Sequence, residues 1–256
     1  PLPRLEDRST ANTRKLFAEY GLTPAPGYLG APLWQADQRE SVVAEARRFA
    51  HRLRDADCTE LYVAAGGPYV TASGQTRREL AGHVGPDDGL SDAEMSTLAA
   101  TLNEIGAATL DEGVRSCFHN HVGQVIETRA EFERLLVLVD PAVVFLGPDT
   151  GHLAWAGDDP VTFCRDFADR IKTIHLKDID PAVAERGRAE GWDYPAFKDG
   201  GIFAELGEGC VDFPAILGAL EAAGFAGWMV VETDVTQKQS ALESATISRT
   251  YLRQLG

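Results

Sequence analysis

The sequence predicts an α/β fold in which helices cover a parallel sheet, of the (β/α)8 barrel kind. Three observations predict it. Short apolar segments alternate with helical patterns along the chain. The strand segments are apolar on both faces, as parallel strands covered from both sides must be. The length, 256 residues, suits one barrel domain over residues 1–256.

Taken in order, residues 1–10 are polar and expected to be poorly ordered. Residues 12–20 read as a helix stopped by Gly21. Residues 22–29 are extended, with Pro24 and Pro26 limiting their pairing. Val42, Ala46, Phe49, Ala50 and Leu53 recur at helical spacing, which predicts a helix over 39–54. Residues 60–65 form a short apolar strand ended by Gly66 and Gly67. The glycine-rich stretch 69–88 is a candidate active-site loop. A helix over 90–112 follows, with Ser91 as N-cap and Gly113 as its stop. Strands are predicted over 143–149, 172–178, 202–206 and 228–233, and helices over 131–139, 159–170, 213–223 and 240–255. Residues 180–200 form a polar excursion whose later part, with Tyr194 and Phe197, suits a lid or a contact with a neighbouring subunit.

The segment from Ser116, SCFHNHVGQVIET, organises the rest. It reads as a buried strand whose end puts His119 and His121 on one face, since side chains two apart point the same way. Gly123 breaks the strand, and Thr128 and Glu131 have capping-box spacing. With it, seven strands are counted, near Leu22, Glu60, Ser116, Val143, Lys172, Ile202 and Trp228. A closed barrel needs eight. The expectation is a first strand missing from this chain; an incomplete barrel or an unseen strand are the alternatives.

The net charge of −15 disfavours phosphate backbones and anionic lipid, so neither nucleic acid nor a membrane is an expected partner. No apolar run approaches a membrane span. The four cysteines, Cys58, Cys117, Cys164 and Cys210, form no CxxC pair and fit a reducing cytoplasm.

Active-site groups of a parallel barrel sit at the carboxyl ends of its strands. Here successive strands end in His119 and His121, then Asp149 and His152, then His175, Lys177 and Asp178, then Glu232. Each has a plain structural explanation when taken singly, as a cap, a solvated pair or a surface charge. Together they suit a divalent ion held by imidazole and carboxylate, with Mn²⁺ or Co²⁺ favoured and Mg²⁺ or Zn²⁺ as alternatives. Such an ion polarises a carbonyl. A histidine outside its shell can take the α-proton, because its pKa lies near working pH.

The runs HNHVGQVIET, DTGHLAWAGDDP, RIKTIHLKDI, GEGCVDFPAIL and GWMVVETD resemble the xylose-isomerase-like TIM-barrel superfamily of sugar isomerases, epimerases and dehydratases. Within it they are most similar to the inosose dehydratase branch. The resemblance covers the chain from about Arg115 onward. It implies metal ligands at Asp149, His175 and Glu232. Its usual first ligand, a glutamate, aligns with His119 here; Glu127 is taken as the replacement carboxylate, with His119 as the alternative. It implies His121 as base, His152 as a substrate contact, and Lys177, or else His119, as the group assisting the leaving hydroxyl. Glu208 lines the pocket or simply occupies a turn between glycines. The expected reaction is loss of water from a keto-inositol or related polyhydroxy ketone. The rivals are a ketose isomerase or 3-epimerase, an endonuclease-IV-like repair enzyme, and an idle sugar-binding or partner subunit. Six histidines and the acidic charge argue against the repair enzyme. A homo-oligomer is expected.

Overall fold

The apolar runs become the strands, and the polar residues that end them gather at one end of the sheet. The structure, a computed structural model, describes residues 9–256. Apart from Ser9 and Thr10, the polar N-terminal stretch lies outside the described residues. The chain runs α1 (Thr10–Glu19), β1 (Gly27–Gly30), α2 (Arg39–Asp55), β2 (Glu60–Ala64), α3 (Asp92–Leu110) and β3 (Arg115–His119). It continues through α4 (Arg129–Leu136), β4 (Val144–Leu146), α5 (Thr150–Trp155), α6 (Pro160–Asp166), β5 (Thr173–Leu176) and β6 (Asp178–Ile179). It closes with α7 (Pro181–Glu190), α8 (Tyr194–Asp199), β7 (Phe203–Ala204), α9 (Phe213–Ala222), β8 (Trp228–Val231) and α10 (Ala241–Leu255).

β1, β2, β3 and β4 pair in parallel in that order. Parallel bridges Leu146–Ile171 and Asp149–His175 carry the sheet to β5, which pairs in parallel with β8. Among the described residues no ladder joins β8 to β1. The strand expected near Ile202 needs correction. Its residues form β7, which pairs antiparallel with β6 across the end of β5. The cause is Asp178, whose carboxylate accepts the backbone N–H groups of Gly207, Gly209 and Val211 and draws this segment over the barrel mouth. Gly209 is required there, since a Cβ would stand 2.2 Å from Asp178 Oδ1.

The main core lies between strands and helices, with Leu61, Val63, Phe118, Leu146, Ile174 and Leu176 fully buried. A second apolar cluster sits at the carboxyl ends of the strands. It joins Ala81 of the glycine-rich loop and Val122 to Trp155, Tyr194, Phe197, Ile202 and Phe203. Backbone bonds stitch the same parts: Tyr194 N–H donates to Arg78 O (2.9 Å) and His83 Nε2 contacts Trp192 O (2.8 Å). The loop and the excursion therefore form one cap packed on their own chain. The four cysteines are free, and no described helix is long and apolar enough to cross a membrane.

Candidate metal centre and active site

The end of β3 presents His119, which is 2% exposed. Its Nδ1 faces Gly147 O at 2.9 Å, so Nδ1 carries the hydrogen and Nε2 keeps its lone pair. Asn120, beside it, accepts the Asp149 N–H (2.9 Å) and returns a longer bond to Asp149 O. That places Asp149 opposite His119. Asp149 caps α5 through Oδ1, which accepts the His152 N–H at 2.9 Å. Its Oδ2 is buried without an aligned hydrogen-bond donor. Lys177 Nζ stands 3.1 Å and His175 Nδ1 3.6 Å from that oxygen. His175 Nδ1 also lies 2.8 Å from Glu232 Oε2. Donor atoms of His119, Asp149 and His175 all fall within 4.8 Å of one another. A buried carboxylate oxygen left without an aligned donor, between two imidazoles and a second carboxylate, fits a divalent ion of the borderline class.

A second group lies beside the first. Donor atoms of His121, His152 and Asp234 also fall within 4.8 Å of one another. His121 Nδ1 donates to Val122 O (2.6 Å), which leaves Nε2 free to accept a proton. Lys177 Nζ stands 3.0 Å from His152 Nε2, 3.1 Å from Glu232 and 3.3 Å from Asp234.

The charges follow from this arrangement. Burial opposes ionisation of Asp149, but Lys177 and the surrounding imidazoles hold it well below the usual carboxylate range. Burial likewise opposes the Lys177 charge, and Asp149, Asp234 and Glu232 overcome it and raise the pKa. Glu232 is pulled down to about 2 by His175 and Lys177 against its burial. Burial and the neighbouring His175 push His119 down to about 3. Burial and Lys177 push His121 down to about 4. His152 is lowered by burial, His121 and Lys177. Unlike His119, His121 and His152, His175 moves up, to about 9, because Asp149 and Glu232 outweigh its burial.

Two expected site residues stand elsewhere. Glu127 does not reach the ligand cluster. Its carboxylate accepts the N–H groups of Gly82 (2.8 Å) and Gly123 (2.6 Å), with Arg77 3.9 Å away. The turn at Gly123, φ +80°, swings the chain toward the buried Arg77, and burial lifts the Glu127 pKa to about 7 against that cation. His119, the alternative for that place, lies in the cluster instead. Glu208 points outward to Lys238 at 2.6 Å, as a turn residue between glycines does. Two site residues escaped the sequence reading. Asp234 lies two positions past Glu232 and so returns to the same end of the sheet. Asn120 sits between the two histidines and locks Asp149 in place.

A family model described as xylose isomerase-like TIM barrel matches residues 1–254. The chain belongs to this family. It is 31% identical over 237 residues to a protein of Geobacillus kaustophilus named inosose dehydratase, an alignment covering 90% of this chain and 74% of that one. It is 34% identical over 163 residues to a protein of the same name from Lacticaseibacillus casei, covering 63% of this chain and 55% of that one. The chain thus spans about half the length of that second relative. Among solved structures, a xylose isomerase-like TIM barrel protein from Mycobacterium smegmatis in complex with magnesium superposes with TM-score 0.67 at 16% identity. That match covers 98% of this chain and 78% of the other. The fold is a TIM barrel, with the parallel strands of this chain as its staves.

Proposed function

We propose that this chain is a metal-dependent dehydratase that removes water from a keto-inositol or a related polyhydroxy ketone. The observation that carries the reading is Asp149 Oδ2, a buried carboxylate oxygen with no aligned donor, facing His175 within the ligand cluster that His119 completes. His119, Asp149, His175 and Glu232 would hold the ion. Their two imidazoles and two carboxylates suit Mn²⁺ or Co²⁺, with Mg²⁺ or Zn²⁺ as alternatives. When bound, the ion supplies Lewis-acid polarisation of a ketone carbonyl and so acidifies the neighbouring C–H.

His121 acts as the base. Its Nε2 takes the α-proton, while Nδ1–H stays anchored on Val122 O. The electron pair released expels the β-hydroxyl, which leaves as water with a proton from Lys177. The carboxylates around Lys177 keep it charged until that step. His152 and Asp234 flank the same space and accept or orient substrate hydroxyls. The free cysteines fit a cytoplasmic enzyme, and a homo-oligomer is the assembly proposed.

A ketose isomerase or 3-epimerase would share the base and the ion. Lys177 favours elimination, because only elimination needs an acid for a departing hydroxyl. The test is an assay with 2-keto-myo-inositol and added Mn²⁺, following the unsaturated or diketone product by ultraviolet absorbance, with EDTA as control. An EDTA-sensitive signal is expected. Bound metal with epimer formation and no water loss would transfer the site to the epimerase reading.

A further inference from the structure

Four aromatic groups form a closed circuit at the site. The Tyr194 ring lies at 19° to the His121 imidazole with centroids 5.9 Å apart. His121 and His152 are 3.8 Å apart, and His152 lies 5.9 Å from Trp155 at 20°. Trp155 returns to Tyr194 at 5.0 Å. Outside the circuit the Arg78 guanidinium stands 4.1 Å from the Tyr194 ring centroid. The backbone of the same pair is joined by the bond from Tyr194 N–H to Arg78 O.

The hydrogen bond from His121 Nδ1 to Val122 O fixes one atom of the imidazole, and its tilt is limited by the rings beside it, His152 inclined at 37° and Tyr194 near parallel at 19°. An offset ring at this separation restrains that tilt, which a flexible aliphatic side chain does not. Tyr194 is itself held firmly. It is the first residue of α8, whose N-cap Asp193 accepts the Ala196 N–H, and Pro195 follows it. The turn after His121 is pressed against the same two side chains. A Cβ on Gly123 would stand 3.4 Å from both Tyr194 Cδ2 and Arg78 Cγ, at a φ of +80°.

We propose that Tyr194 is a positioning residue for His121, its ring setting the plane of the imidazole and Arg78 holding that ring in place. The inference rests on the dehydratase reading for the role of His121, and on geometry alone for the contact. It gives the polar excursion a task in the reaction: it delivers a wall for the base.

The test compares Tyr194→Phe and Tyr194→Leu in the full chain with Mn²⁺ and 2-keto-myo-inositol. Tyr194→Leu should lower kcat about 10- to 100-fold, as displacement of a catalytic group by an ångström does. KM should stay within about threefold, since substrate binding is untouched. Tyr194→Phe keeps the ring and should restore kcat to within about twofold of the parent. Arg78→Gln should show a smaller loss in the same sense. A second readout needs no turnover: ¹⁵N spectra of the histidine rings of the metal-free protein at one pH, with the His121 signal identified by its loss in His121→Gln. His121 should be a single Nδ1–H tautomer in the parent and in Tyr194→Phe, and mixed in Tyr194→Leu. Parent-like kcat and tautomer in Tyr194→Leu overturn the proposal. Equal damage in Tyr194→Phe with a raised KM also overturns it, because the hydroxyl would then be touching substrate. A parent protein without elimination, but with the tautomer change in Tyr194→Leu, sinks the dehydratase reading and leaves the positioning intact.

Discussion

The two groups of histidine and carboxylate at the strand ends use the same residue types at the same spacing, and they differ in charge. Around His119, Asp149 and His175, with Glu232 alongside, two carboxylates gather and one oxygen lacks an aligned donor. Around His121, His152 and Asp234 there is one carboxylate, and Lys177 Nζ already stands against His152 and Asp234. A divalent ion about 4 Å from an ammonium is repelled by roughly 8 kcal/mol at an effective dielectric near 20. Lys177 Nζ stands 3.1 Å from both Asp149 and Glu232 as well, so both groups feel it; the two carboxylates of the first group offset that repulsion, whereas the single carboxylate of the second does not. Ligand-type side chains make a metal site only where local negative charge outweighs the neighbouring cation; otherwise they make a site for hydroxyls and proton transfer.

The sharpest break of this contrast is Asp149→Asn. It removes the anchoring carboxylate of the first group, so ion retention and turnover should both vanish. Several kcal/mol of carbonyl activation go with the ion, on the order of 10⁴-fold or more in rate. Metal analysis after gel filtration, alongside the assay, checks it, and a variant that keeps its ion contradicts the assignment.

His121→Ala tests the second group without the first. Metal content should match the parent while elimination falls about 10²- to 10⁴-fold, the usual contribution of a positioned base. Near-parental turnover would remove His121 from the role.

Lys177→Met removes the cation that faces the carboxylates of both groups. Turnover should drop about 10²-fold with the acid gone. The metal-free variant should lose about 3–5 kcal/mol of stability, since buried carboxylates are left unpaired. Calorimetric titration with Mn²⁺ should then find a second binding event at His121, His152 and Asp234. One event, as in the parent, would show that Lys177 is not what keeps a cation out.

Glu127→Gln has the smallest effect on turnover, because Glu127 belongs to neither group. Its signature is in stability against pH. The folded pKa, about 7, lies above the ordinary value of 4.5, so folding favours the protonated form. The contribution is complete below about pH 4.5 and is lost as pH rises through about 7, by roughly 3 kcal/mol at most. Thermal melts between those limits should show that decline in the parent and not in Glu127→Gln, with ion content equal in both.

The alternation of apolar runs with amphipathic helices made the architecture readable, and the polar ends of those runs made most of the site readable. Asp149, His175 and Glu232 stood out because nothing in the apolar body of their strands explains them, and the structure brings the three side chains together. The failures have physical causes. Phe203 and Ala204 are an apolar pair that periodicity cannot distinguish from a barrel strand; their partner is decided by Asp178, which binds backbone groups about 30 residues away in the chain. Glu127 is near His119 in sequence, yet its direction depends on Arg77, which comes from a loop without any periodic pattern. Asp234 lies in a polar run where one carboxylate looks like another, and only Lys177 marks it out.

The carboxylate of Asp178 also determines what the chain can tolerate. It binds Gly207, Gly209 and Val211, and β6 and β7 pair beside it, so both ends of the excursion are pinned at one point near His175 and Lys177. The entropy of closing a loop between pinned ends grows slowly, by about 0.6 kcal/mol for each doubling of its length. Insertions or wholesale exchange between those ends would therefore leave the strands that carry His119, Asp149 and His175 undisturbed while replacing the residues packed against His121. The excursion is a cassette, through which the same candidate centre could be adapted to substrates of other shapes.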